Sequence, residues 1–190
     1  MNVHSWIVND LEGVRSKLND SVLSVVPRRR WVEQVDSGGS SIAHLLLHVA
    51  RHQDLAVATA ISNHPPLFAA HRSALGLAES RPSAGLAERE DPSVSESLPL
   101  DALVVYVDAV FAATRTWLDD VGTMVLDTVP DTSDRLVDKA ALAVDDVDWL
   151  HRMWTGKPVW WLVQWPVVGH GHAHVGEAIS VRNRMGLSPF

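Results

Sequence analysis

Apolar residues recur at helical spacing from the start of the chain. Val3, Ile7, Leu11, Val14, Leu18, Val22 and Val25 fall three or four positions apart, and Pro27 punctuates the run, so the pattern predicts a first helix over residues 3–26. A second is predicted over residues 41–62, where a run of serines and glycines able to cap precedes strong helix formers and residues 63–66 stop them. Residues 64–99 turn to Pro, Ser, Gly, Glu and Arg with weaker periodicity, which reads as a long, partly mobile crossover holding short helical pieces. A third helix, over residues 99–126, carries Leu103, Val107, Val110, Phe111, Thr114 and Leu118 on one side. The acidic stretch that follows contains a predicted helical piece over residues 134–149, and Thr155, Gly156 and Lys157 mark a break before Pro158. The last helix is predicted over residues 158–185, bent at Pro166, with Arg182 and Arg184 in its final turn and Gly186 ending it.

No alternation of period two extends far enough for a sheet, and no fixed repeat appears. The pattern therefore predicts an all-α chain, one domain over residues 1–190, with four long helices in a bundle and long connections after the second and third.

Composition changes this picture mainly by exclusion. With 46% hydrophobic and 21% charged residues the chain lies in the range of folded domains, not of disordered ones. A net charge of −7 argues against a nucleic-acid partner, since such binding depends on clustered Lys and Arg; Arg28, Arg29 and Arg30 form only a short basic group, read as a solvated helix end or loop. The N-terminus has no basic region followed by an apolar stretch, and nowhere do about 18 apolar residues run together, so no membrane span and a cytoplasmic location are expected. Cysteine is absent, which removes thiolate nucleophiles and sulfur ligands and leaves imidazole and carboxylate as the only strong metal donors.

Ten histidines then stand out by arrangement. His44, His48 and His52 are spaced by four and form a stripe on the second helix. On the last helix His170 and His174 share a face and can hold one ion together, whereas His172 points elsewhere. Two imidazoles do not complete a transition-metal site, so a third must come from another helix; His48, among Leu45, Leu46, Leu47 and Val49, is the choice. The remaining histidines read as hydrogen-bonded core or surface residues.

The second helix reads Ser41-Ile42-Ala43-His44-Leu45-Leu46-Leu47-His48-Val49-Ala50, and the last reads His170-Gly171-His172-Ala173-His174-Val175-Gly176-Glu177 followed by Arg182 and Gly186. Together these segments resemble the DinB-like superfamily, the damage-inducible four-helix proteins. The resemblance implies a divalent metal, zinc or nickel, held by three histidines with open positions for water or substrate. It implies close helix packing at Gly176, and makes Glu177 a catalytic candidate that orients a ligand or moves a proton. Some proteins of this kind are mycothiol-dependent maleylpyruvate isomerases and bacillithiol or mycothiol S-transferases. The expected function is accordingly a metal-dependent thiol transferase or isomerase, with mycothiol or another small thiol as cosubstrate, a small electrophile as partner, and a homodimeric assembly. A non-catalytic metal-binding stress or structural protein, and a metal-dependent hydrolase with Glu177 as base, are the alternatives. The chain departs from the family pattern in its aromatic run: Trp149, Trp154, Trp160, Trp161 and Trp165 read either as core and dimer packing or as walls of a pocket above the metal.

Overall fold

The computed structural model describes residues 3–35 and 39–189; Ser37 and Gly38, part of the run ahead of the second helix, lie outside the described residues. Described elements are helical, without strands. Helix α1 (Val3–Leu18) turns Val8, Leu11, Val14 and Leu18 inward and continues into a π-helical turn, Asn19–Leu23, before Pro27 ends it. Helix α2 (Ile42–Asp54) is capped by Ser41, whose hydroxyl oxygen accepts the His44 N–H at 3.1 Å, and runs on in π form through Leu55–Ile61. Every residue of α2 is buried, including His44, His48, Arg51, His52, Gln53 and Asp54. A central helix carrying that many polar groups needs partners from elsewhere in the chain.

The partners come from the crossover. It contains two short helices, α3 (Leu67–His71) and α4 (Pro92–Ser95), and it buries Leu75, Leu77, Ala84, Leu86, Val94 and Leu98 in the core. The expected crossover with short helical pieces is found, and within it residues 81–91 form a strap fastened along α2. Asp54 holds the start of α3, accepting from the Leu67 and Phe68 N–H groups at 2.9 and 2.8 Å and from the Tyr106 hydroxyl at 2.9 Å.

Helix α5 (Leu100–Asp120) stops short of the expected residue 126 because Val121 turns extended (φ −74°, ψ 128°) just before Gly122. The expected piece over residues 134–149 is two helices, α6 (Thr132–Ala140) and α7 (Asp148–Trp154). Leu136 and Leu142, on either side of the break, are both fully buried. Ala141, in the left-handed region at φ 54°, ψ 35°, makes the break.

The last helical stretch consists of α8 (Val159–Leu162), a π-helical segment Val163–Gly169, and α9 (His170–Arg182), with Gly186 at φ 77° in its terminal turn. Pro166 sits in the π segment, where the wider turn has the His170 N–H reach back five residues to the Trp165 carbonyl. Helix α2 packs against both α5 and α9, and α1 packs against the same two. At the crossing of α1 and α9, a Cβ added to Gly171 would stand 3.0 Å from Val14. The close approach expected at Gly176 is therefore found five residues earlier; at Gly176 no described atom beyond its chain neighbours and the surrounding backbone of its own helix lies within 4 Å of such a Cβ.

Candidate metal centre

The strap is read by the polar face of α2. Arg51, 1% exposed, donates from Nε to the Ala84 carbonyl at 3.1 Å and from Nη2 to the Pro82 carbonyl at 2.6 Å, with its guanidinium 3.6 Å from the centre of the Phe68 ring. His52 Nε2 meets the Leu86 carbonyl at 3.1 Å, and His48 Nδ1 meets the Gly85 carbonyl at 2.9 Å. The Glu90 carboxylate accepts from the N–H and hydroxyl of Ser41, which ties the end of the strap to the cap of α2. Gly85 is obligatory on two counts: φ is +78°, and a Cβ there would fall 2.7 Å from Leu47 Cγ.

On the other side of the His48 ring lies a converging group. His48 Nε2 is 3.1 Å from His170 Nε2, which is 3.1 Å from His174 Nε2. A carboxylate from the strap completes it: Glu88 Oε1 is 3.6 Å from His48 Nε2 and 3.9 Å from His170 Nε2, and Glu88 Oε2 is 3.7 Å from His174 Nε2. All four donor atoms lie within 4.8 Å of one another, so this three-histidine, one-glutamate group can hold a metal ion.

Proton placement makes the point sharper. A ring nitrogen facing a carbonyl oxygen must carry hydrogen, so the Gly85 contact puts the His48 proton on Nδ1 and leaves a lone pair on Nε2. His174 Nδ1 lies 2.9 Å from Glu177 Oε2, which fixes its proton the same way. The lone pairs of His48 and His174 are thereby turned on His170 Nε2, which has one proton at most, and on a carboxylate that can only accept. A cation at their common centre resolves this arrangement. Four-coordinate zinc with nitrogen about 2.0–2.1 Å away sets neighbouring ligands roughly 3.4 Å apart, close to the spacing found here.

Burial keeps the rings in their metal-binding form. Desolvation, helped by the neighbouring rings, lowers the pKa of His48 to about 4 and of His170 to about 3, leaving both as neutral bases near neutral pH. The His174 hydrogen bond lowers that of Glu177, keeping the orienting carboxylate ionised. His170 Nδ1 is buried without a protein hydrogen-bond partner.

The other histidines fall around this group. His44 stacks on His48 at 5.5 Å between ring centres, and its buried Nε2 has no protein partner. His52 lies 4.4 Å from His170, backed by Trp149 and Trp154. His172 projects away from the donors, into a cavity of about 370 Å³ that it lines with Trp6, Ile7, Trp160 and Val168. Of the tryptophan run, Trp154 is fully buried, Trp165 makes a steeply inclined ring contact with His170 at 6.1 Å between centres, and Trp160 borders the cavity that His172 lines.

Glu88 was missed by sequence reasoning. It stands in the run Ala87-Glu88-Arg89-Glu90-Asp91, where one acid looks like the next. The available signal was Gly85, three residues earlier, as a mark of backbone forced close to a helix.

Among the described residues no helix is long and apolar enough to cross a membrane. No family model, no curated protein and no solved structure matches the chain.

Proposed function

We propose that this chain is a DinB-like four-helix metalloprotein whose His48, His170 and His174 hold one divalent transition ion, zinc or nickel, and that it serves as a thiol-dependent transferase or isomerase. The observation that carries the metal reading is the meeting of three imidazole Nε2 atoms, two with their protons pinned at Nδ1 by Gly85 and Glu177. The ring of contacts among α1, α2, α5 and α9 supports the four-helix reading. An ion bound by neutral imidazoles would lower the pKa of a small thiol and supply thiolate, chemistry this cysteine-free chain has no side chain to perform. Glu177, bonded to His174, orients the ligand ring; that engagement disfavours it as the base a hydrolase would need.

The test combines elemental analysis with turnover. Purified protein should contain close to one zinc or nickel per chain, and should join mycothiol to monochlorobimane in a reaction abolished by a chelator and restored by the metal. Metal content without conjugation across several electrophiles would sink the transferase reading and leave a non-catalytic metal protein, a role that a carboxylate facing the remaining position also suits.

A further inference from the structure

The four donors are unlike in one respect. The side chains of His48, His170 and His174 are 0%, 6% and 10% exposed, whereas that of Glu88 is 73% exposed. The histidines are wedged between helices, and two are also fixed by a second hydrogen bond. The Glu88 carboxylate makes no described hydrogen bond, and the ion-pair partners within 4 Å are those three imidazoles. The backbone that carries it is fixed on both sides, by Leu86 on His52 and by Glu90 on Ser41. Departure of the Glu88 carboxylate therefore requires rotation about its own side-chain bonds and no loosening of the strap.

From this contrast we infer that Glu88 is an exchangeable fourth donor: it closes the metal position in the resting protein and swings outward when an anionic, single-atom donor takes its place. The inference rests on the metal reading above. Three neutral imidazoles leave the full charge of a divalent ion uncompensated, and Glu88 removes one unit of it. A ligand replacing Glu88 keeps that balance only if it is itself an anion. The chemical class admitted is accordingly thiolate, carboxylate or a small inorganic anion, in preference to amines or neutral carbonyl compounds.

Cobalt(II) substitution reads this directly, because its visible spectrum reports donor number and type without turnover. Wild-type protein, Glu88→Gln and Glu88→Ala would be loaded with cobalt and titrated with azide and with 2-mercaptoethanol, with His48→Ala as the site control. Expected are a spectrum in both Glu88 variants distinct from wild type, metal affinity lower by about tenfold or more, and azide binding at least tenfold tighter in Glu88→Ala than in wild type. Saturating azide should bring wild type and Glu88→Ala to the same spectrum. Identical cobalt spectra and identical azide affinities in wild type and Glu88→Ala would overturn the inference while leaving the three-histidine site standing. Cobalt bound equally by wild type and His48→Ala, or by neither, would overturn both. Circular dichroism at matched concentration separates misfolded variants, and Glu88→Gln, nearly isosteric on an exposed side chain, keeps the comparison available if Glu88→Ala fails to fold.

Discussion

At the scale of single residues, an imidazole is useful because its two nitrogens can be given separate tasks. His174 directs Nδ1 to Glu177 and Nε2 to the other rings, whereas His172, two positions away, lines a different cavity altogether. Alanine at His48 or His174 should therefore reduce bound metal to below about a tenth of wild type, a loss of at least tenfold, and alanine at His172 should leave it unchanged; elemental analysis of the three proteins checks both. Glu177→Ala should weaken zinc binding by about 10- to 100-fold in a chelator competition, and Glu177→Gln by less, since the amide oxygen still accepts from Nδ1. The i, i+4 spacing of His170 and His174 is legible in sequence because helix geometry alone puts them on one face. Which of His44, His48 and His52 joins them is less legible, for all three share a stripe. What separates them is the strap, whose carbonyls at Gly85 and Leu86 engage His48 and His52 from outside the helix.

At the scale of elements, the long helices were readable from their apolar spacing, and their ends from Pro27, Ser41 and Gly186. The crossover that carries the strap was not, because its burial does not follow any period of its own; Leu75, Leu77, Ala84 and Leu86 go inward where α2 and its neighbours receive them. Helices α6 and α7 read as one in the sequence because the left-handed turn at Ala141 that parts them has no glycine to announce it. The strap's fastening predicts its sensitivity. Arg51→Ala removes hydrogen bonds to two strap carbonyls and a stacked guanidinium, and should cost about 2–4 kcal/mol in urea unfolding, with faster amide exchange over residues 81–91. Gly85→Ala combines positive φ with a collision against Leu47, and should cost about 2–3 kcal/mol. It should also weaken metal binding, because the carbonyl that holds His48 Nδ1 must move with the backbone.

At the scale of the whole molecule, α2 and α9 come from opposite halves of the sequence, and an ion bound between them ties those halves together. Binding to the folded chain alone raises its stability by about 4 kcal/mol at a thousandfold excess over Kd, which for a chain of this size is a rise in Tm of roughly 8–16 °C. Calorimetry with and without chelator should show this rise in wild type and not in His48→Ala. The double employment of the His48 ring carries a thermodynamic obligation. Its Nδ1 docks the strap and its Nε2 faces the point where an ion would sit, so strap docking and metal binding would share one side chain. Linkage is reciprocal: whatever factor metal occupancy adds to strap closure, strap closure must add to metal affinity. Loosening the strap would therefore weaken the hold on an ion, and metal occupancy would in turn set how often the strap opens.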